Sequence, residues 1–133
     1  MSHPTVRVVS AEIQRDGHYL LTQRLSKAVM PDLWEFPGGR VQVGETDEAA
    51  LERALERRIG VCARVGSQVL EVTHNYDDYS VVLVVYQCDV GTAEPAALDV
   101  QNTAWVTPEN FGQYPFPAAD EATVRLLIGA LDS

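Results

Sequence analysis

The sequence predicts an α/β protein in which a mixed β-sheet lies between helices. The first observation is the order of its patterns, which are strands, a helix, strands and a second helix. The second is that clear start and stop signals bracket the first helix. With 133 residues, 46% of them hydrophobic, the chain is long enough for one core. We therefore expect a single domain over residues 1–133.

The first strands are predicted from β-branched residues and turn signals. Residues 5–14 are rich in Val and Ile, and Asp16-Gly17 is typical of a hairpin turn before a returning strand at 19–23. A short apolar strand at 33–36 ends at Pro37-Gly38-Gly39. Two glycines after a proline predict a sharp turn where the backbone can approach a ligand closely.

Residues 46–59 are predicted to form the first helix. Thr46 is suited to the N-cap, and Gly60 stands where a left-handed terminator belongs. Apolar residues recur every four positions and predict a buried stripe, which comprises Leu51, Leu55 and Ile59.

The second half of the chain contains four further predicted elements. They are strands at 65–72, 80–88 and 104–106, and a helix over 117–131. Residues 91–101, rich in Ala, Pro and Gly, are expected to form a loop. The second helix is expected to face the core with Val124, Leu127, Ile128 and Leu131.

Composition restricts the partners. The formal charge of −9 disfavours binding to a nucleic-acid polymer, which needs a basic surface, but it allows a free nucleotide. No apolar run reaches the roughly 18 residues of a membrane span, and no signal-peptide pattern is present. Cys62 and Cys88 form no CxxC motif. Because both lie among apolar residues, we expect two buried free thiols in a reducing cytosol rather than a disulfide.

Residues 39–61, GRVQVGETDEAALERALERRIGV, carry the most specific motif. Its frame consists of Gly39, Glu45, Arg53, Leu55, Gly60 and Val61. The frame resembles the Nudix box of pyrophosphohydrolases, and WEFPGGRVQVGET resembles the segment that opens the box in MutT-like members. The resemblance extends over nearly the whole chain. It implies an α/β/α sandwich, cleavage of a nucleoside diphosphate linked to another group, and Mg²⁺ or Mn²⁺ bound by glutamates of the box helix.

The box departs from the family at its three metal-binding glutamates, whose positions carry Ala54, Arg57 and Arg58. A divalent cation would neutralise a diphosphate and activate the attacking water, and Mg²⁺ requires oxygen ligands. Guanidinium groups cannot ligate a metal. We therefore expect Mg²⁺ or Mn²⁺ to bind weakly or not at all, and standard activity to be weak or absent.

Two carboxylates outside these positions are the remaining metal candidates. Glu45 matches the box Glu that precedes the helix, and Asp99 lies six residues before Trp105, where several relatives place a further metal-binding Glu. Asp99 is equally well explained as a loop acid. Together they would hold one cation weakly. Arg53 matches the box Arg, whose implied role is to orient a box glutamate, so Glu45 and Arg53 are the catalytic candidates.

The candidates for phosphate contact are Arg57 and Arg58, together with the Gly38-Gly39 turn. Arg is suited to bidentate phosphate recognition. Basic residues in the last turn of a helix also stabilise it through its dipole, so both interpretations remain open.

The candidates for nucleoside contact flank the box. By resemblance, Arg24 matches a nucleotide-contacting position, and Asp120 matches the acid or amide that contacts the purine edge in 8-oxoguanine nucleotide hydrolases. Asp120 is also explained as a helix N-terminal acid, and Phe36 as either a base contact or a core aromatic. The loop with His74, Tyr76 and Tyr79 is either a ligand contact or an ordinary surface loop.

Two principal functions follow. One is a pyrophosphohydrolase of nucleoside di- or triphosphate derivatives with impaired metal chemistry. The other is a non-catalytic module that binds a nucleotide or phosphate. An interaction domain with an empty pocket is a third interpretation, because a fold does not determine a function. A homodimer is left open.

Overall fold

The computed structural model describes residues 3–129, and their strands form two four-stranded sheets. The strands are β1 Thr5–Glu12, β2 Gln14–Arg15, β3 His18–Gln23, β4 Trp34–Glu35, β5 Gly38–Arg40, β6 Arg64–Asn75, β7 Ser80–Asp89 and β8 Asn102–Val106. The helices are α1 Asp47–Ile59 and α2 Glu121–Gly129, with 3-10 helices at Pro108–Gln113 and Ala118–Asp120.

The larger sheet is mixed and has the order β5-β1-β7-β6. β1 runs parallel to β7, with Val9 opposite Val84, and antiparallel to β5, with Val9 opposite Gly39. The second sheet is antiparallel, and its central strand β3 pairs with β2, β4 and β8. The predicted mixed sheet is confirmed. The predicted strand 5–14 is interrupted at Ile13, where the chain passes from one sheet to the other.

The α1 helix begins and ends where the sequence predicts. Thr46 Oγ1 accepts a hydrogen bond from the Ala49 amide at 3.1 Å. Gly60 adopts φ 70°, and its amide donates to the Glu56 carbonyl. The predicted stripe is fully buried in the core between α1 and the mixed sheet, at Leu51, Leu55 and Ile59. Burial of each such side chain contributes roughly 1.5–3 kcal/mol.

A second core lies beneath α2 and the antiparallel sheet. Its buried members are Leu21, Phe36, Val106, Phe111 and Leu127. The α2 helix begins at Glu121 rather than at residue 117, because a 3-10 turn precedes it. Leu127 is buried as predicted, whereas the side chain of Ile128 and all of Leu131 lie outside the described part of the chain.

Both cysteines are free thiols. Cys88 is half-buried, and burial raises its pKa to about 12. Cys62 is exposed, so the prediction that both are buried was wrong for this residue. Its neighbours Val61 and Ala63 face the core, and extended backbone turns the residue between them outward. Neither α1 nor α2, within residues 3–129, is long and apolar enough to cross a membrane.

Candidate functional site

A cavity of about 390 Å³ lies beside the mixed sheet. Its walls come from β1, the loop after β3, the segment from β4 to β5, the last turn of α1, the β6–β7 loop with the start of β7, and the segment before α2. Pockets for small molecules typically measure about 300–1,000 Å³. The cavity is therefore large enough for a small ligand, and six separate parts of the chain build it.

One end of the cavity holds two carboxyl groups and one guanidinium group. Asp120 is only 6% exposed, and the Glu35 side chain is 16% exposed. Arg24 Nη1 donates to the Glu35 carboxylate at 3.0 Å, while Arg24 Nε donates to the Val29 carbonyl. We call Arg24, Glu35 and Asp120 the acid end.

Burial governs the protonation of the acid end. It raises the pKa of Asp120 well above its usual range, and the neighbouring Glu35 charge adds to this rise while Arg24 opposes it. Burial also raises the pKa of Glu35, against the attraction of Arg24. Because one guanidinium cannot compensate two buried carboxylates, Asp120 favours its protonated form. A protonated carboxyl donates a hydrogen bond as well as accepting one.

A smaller cleft of about 180 Å³ opens against α1. It is lined by Gly39, Arg40, Gln42, Arg53, Ala54, Arg57 and Arg58, and we call it the arginine cleft. It shares Gly39, Arg40 and Arg58 with the cavity, so the two spaces are neighbours.

Gly39 permits the close approach of β5 to α1. A Cβ atom at this position would lie 3.0 Å from the Ala54 Cβ and 3.7 Å from Arg58 Nη2. Glycine is therefore the residue that leaves this junction open. Ala54 is 1% exposed, so it forms the floor of the cleft.

Arg53 orients Glu45. Its Nε and Nη2 donate to the two oxygens of Glu45 at 2.7 and 3.0 Å, and Nη2 also donates to the Arg40 carbonyl. The Gln42 amide donates to the same carboxylate, and these bonds, that from Arg53 above all, lower the pKa of Glu45. The resemblance implies that the box Arg orients a box glutamate, and here Arg53 contacts Glu45, the acid in the loop before α1.

The other arginines of the cleft are less constrained. Arg57 Nε lies 3.8 Å from the Asp99 carboxylate, and the two side chains are 69% and 42% exposed. The Asp99 amide donates to the Arg58 carbonyl, which holds the loop against the helix end. Within residues 3–129, no carboxylate lies within 4.0 Å of the Arg40 or Arg58 guanidinium.

The residues of the box helix do not fit a divalent cation. Residues 3–129 contain no group of three or more His, Cys, Asp or Glu side chains that could hold a metal ion. The two candidate ligands, Glu45 and Asp99, each face an arginine. The acids Glu48, Glu52 and Glu56 are exposed, as expected from their position around the helix. A weak cation between Glu45 and Asp99 stays a prediction.

The structure brings most of the predicted ligand-binding residues together. Six of them line the cavity, namely Arg24, Phe36, Gly38, Gly39, Arg58 and Asp120. Arg57 lines only the cleft. The Phe36 ring is 1% exposed and stacks on Phe116, so it belongs to the core as well as to the cavity wall.

The loop between β6 and β7 contributes to the cavity. Tyr76 and Tyr79, for which the sequence left both a ligand contact and an ordinary surface loop open, line the cavity with stacked rings 5.1 Å apart. Tyr76 Oη accepts from the Ala119 amide, which ties this loop to the segment before α2. Glu35 also lines the cavity and was not predicted from the sequence. A charged residue within the apolar strand before the glycine turn could have indicated it as a site residue.

The NUDIX domain family model matches residues 8–126, which is most of the chain. The chain belongs to the Nudix family. Members of this family act on nucleotide small molecules and generally use divalent metals such as Mg²⁺ or Mn²⁺.

Named relatives place the chain among the Nudix pyrophosphohydrolases. It is 35% identical to the CTP pyrophosphohydrolase of Escherichia coli (strain K12) over 119 residues, 86% of this chain and 85% of that protein. It is 30% identical to the 8-oxo-dGTP diphosphatase of Haemophilus influenzae over 129 residues, 96% of this chain and 95% of that protein.

A solved structure confirms the fold. The crystal structure of the MutT protein from Methanosarcina mazei Go1 superposes with a TM-score of 0.86 at 21% identity, covering 100% of this chain and 99% of that one. The predicted Nudix-type α/β/α sandwich with a mixed sheet is therefore confirmed.

Proposed function

We propose that this Nudix domain binds a nucleoside phosphate, with the nucleoside in the cavity and the phosphates in the arginine cleft, and that it hydrolyses this ligand weakly or not at all. The observation that carries the proposal is the difference in charge between the two neighbouring spaces. The larger space contains the buried acid end, and the adjoining one is lined by four arginines.

The charges define a direction for the ligand. The charges of Glu35 and Arg24 shift the pKa of Asp120, whereas the pKa of Glu35 is also lowered by the charge of Arg58. Arg58 lines both spaces, whereas Asp120 and Glu35 line only the cavity. A nucleoside phosphate has the same polarity, with hydrogen-bonding base edges at one end and anionic oxygens at the other.

The nucleoside end offers both polar and aromatic contacts. Asp120 supplies a buried carboxyl for the base edge, and Tyr76 and Tyr79 supply aromatic faces. Ser10 also lines the cavity, and its hydroxyl is buried without a hydrogen-bond partner among residues 3–129. A buried polar atom without a partner is costly, so a ligand that bonds to it gains affinity.

The phosphate end offers positive charge in place of a cation. Arg40 and Arg58 are not paired with a carboxylate among the described residues, and Arg57 is only loosely paired with Asp99. Guanidinium groups bind phosphate oxygens in bidentate fashion. They hold a phosphate but do not generate a hydroxide, which is the task of a bound metal. Binding should therefore exceed turnover.

Family membership supports hydrolysis as the second candidate function. The relatives described above are named as pyrophosphohydrolases or diphosphatases. A weak cation at Glu45 and Asp99 would support residual turnover. A turnover assay over a nucleotide panel with Mg²⁺ and Mn²⁺ separates the two functions, because the binding module predicts saturable binding with little or no product.

The binding test compares nucleotides with their nucleosides by calorimetry in EDTA. The double variant Arg57→Ala, Arg58→Ala should bind nucleotides at least ~10-fold more weakly, because charge-assisted hydrogen bonds contribute about 1.5–3 kcal/mol each. Arg64→Ala removes an exposed arginine outside both spaces and should change nothing. Equal nucleotide affinity in the double variant and the unmodified chain would refute a phosphate site in the cleft.

A gain-of-function variant tests the remainder of the site. Ala54→Glu, Arg57→Glu and Arg58→Glu together restore the family's carboxylates on the box helix. If the cavity orients a nucleotide as proposed, this variant should acquire Mg²⁺-dependent pyrophosphohydrolysis. Rapid metal-dependent turnover by the unmodified chain would show instead that the three substitutions do not impair the chemistry.

A further inference from the structure

The arginine cleft carries a net positive charge before any ligand binds. Four guanidinium groups line it, and two carboxylates face them, Glu45 beside Arg53 and Asp99 beside Arg57. The other two guanidinium groups, of Arg40 and Arg58, have no carboxylate within 4.0 Å among residues 3–129. A divalent cation placed here would be repelled, and it would find no carboxylate on the helix face to replace its water ligands.

We propose that divalent cations oppose ligand binding at this site, so that the domain selects the metal-free form of a nucleoside diphosphate or a similar phosphate anion. This inference rests on the proposed function, because it concerns the same cleft. It reverses the relation expected for a domain whose box helix bears three glutamates, in which the cation brings the diphosphate and the protein together.

The physical reason is competition for the same oxygens. Mg²⁺ binds oxygens of a diphosphate and neutralises much of its charge. The arginines need those oxygens as acceptors and that charge for attraction. A metal-bound diphosphate therefore offers the cleft fewer free acceptors and less charge. By mass action, Mg²⁺ at ten times the dissociation constant of its diphosphate complex lowers the apparent affinity of the protein about 10-fold.

The geometry makes this site more than a helix end with basic residues. Arg40 comes from β5 and Arg53, Arg57 and Arg58 from α1, so two elements converge on one cleft. Its floor is Ala54, which adds no bulk above the helix. Gly39 lines both the cleft and the cavity, and a Cβ atom there would lie 3.0 Å from the Ala54 Cβ. A ligand that fills the cavity therefore lies beside the arginines that line both spaces, Arg40 and Arg58.

The test is calorimetric titration of the full chain with CDP and GDP, each in EDTA and in MgCl₂. The MgCl₂ concentration is about ten times the dissociation constant of the Mg²⁺–diphosphate complex. The expected result is an apparent affinity about 10-fold lower in MgCl₂ for whichever nucleotide binds. The monophosphates CMP and GMP are the matched ligands, because a single phosphate does not chelate Mg²⁺ as a diphosphate does. Their affinities should change much less.

Variants assign the effect to the cleft. The triple variant Ala54→Glu, Arg57→Glu, Arg58→Glu should reverse the sign, so that MgCl₂ strengthens the binding of CDP or GDP. Arg64→Ala should keep the sign and size of the effect found in the unmodified chain. Circular dichroism confirms that each variant is folded.

The outcomes distinguish this inference from the proposed function. If Arg57→Ala, Arg58→Ala weakens diphosphate binding in EDTA but MgCl₂ leaves binding by the unmodified chain unchanged or strengthens it, the inverse metal dependence is refuted and the phosphate site stands. If no diphosphate binds in either buffer, both are refuted. Weaker binding in MgCl₂, with reversal in the triple variant, supports both.

Discussion

The acid end of the cavity and the arginine cleft differ in burial as much as in charge. Asp120 is 6% exposed, whereas the Arg57 side chain is 69% exposed. A buried charge is weakly screened and shifts its pKa, while an exposed charge is screened by water and salt. One or two charged groups are therefore enough for the acid end to affect ligand binding. The cleft needs several arginines, because single exposed ion pairs contribute little.

The two regions are also built differently. Distant segments meet at the acid end, where Arg24 follows β3, Glu35 ends β4 and Asp120 ends the 3-10 helix before α2. Three of the four arginines of the cleft lie on one helix, with Arg40 from the adjoining strand. The acid end thus depends on tertiary packing, and the cleft depends chiefly on α1. The predictions below test how far the two regions are independent of each other.

The largest expected effect is at Gly38, which lies in β5 and lines the cavity. A Cβ atom here would lie 1.9 Å from the Val9 carbonyl oxygen and 2.7 Å from the Ser10 Cα. Backbone atoms cannot move aside as a side chain can, so Gly38→Ala should destabilise the protein by about 3 kcal/mol, measured by urea denaturation. Gly112→Ala is the matched control, because nothing lies within 4 Å of its Cβ. Equal stability of the two variants would contradict the observed approach of β5 to β1.

The next prediction concerns pH and isolates the acid end. Burial raises the folded-state pKa of Asp120 above its unfolded value. Its contribution to stability is therefore complete below the unfolded pKa, about 3.9, and is lost as pH rises through the folded pKa. Asp120→Asn, which resembles the protonated acid, should reduce this loss and be the more stable protein at high pH.

Urea denaturation at a series of pH values measures this effect. Glu35 also has a raised pKa, so some loss of stability with pH should remain in Asp120→Asn. Glu109→Gln, at an exposed carboxylate, should leave the pH dependence unchanged. A variant that follows the unmodified chain across the whole series would show that Asp120 is charged at neutral pH without cost.

A third prediction separates the regions by ligand. Arg58→Ala should weaken binding of pyrophosphate and nucleotides about 10-fold or more and leave the free nucleoside unaffected. Asp120→Ala should weaken the nucleoside by a similar factor and leave pyrophosphate unaffected. Competition assays with each ligand measure both changes. If either variant weakens both ligands equally, the division of the site into a nucleoside end and a phosphate end is wrong.

The smallest effect is expected at the N-cap of α1, far from the acid end. Thr46→Ala removes the hydrogen bond to the Ala49 amide and should lower the free energy of unfolding by about 1 kcal/mol. Thr46→Ser keeps an acceptor and should cost less. Because neither change touches the cavity, nucleoside affinity should stay the same in both variants. A loss of nucleoside affinity in Thr46→Ala would show that the cavity depends on the stability of α1, although α1 lines it only through Arg58.

The sequence by itself predicted the α/β class, the box helix with its caps and buried stripe, and the family. These features depend on local signals, since a cap bonds within one turn and an apolar period repeats every four residues. The departures at Ala54, Arg57 and Arg58 were also visible in the sequence. Their consequence for catalysis stays a proposal.

Only the tertiary structure decided how the charges are grouped. The pairing of Arg53 with Glu45, the arginine neighbour of Asp99 and the burial of Glu35 beside Asp120 are contacts between separate segments. From the sequence, the loop with Tyr76 and Tyr79 could equally have faced solvent. In the structure, Tyr76 Oη accepts a hydrogen bond from the Ala119 amide, and the loop lies at the cavity. A local sequence pattern determines on which side of its own helix or strand a residue lies. The packing of the two sheets and the helices determines which charged side chains are brought close together and how deeply they are buried.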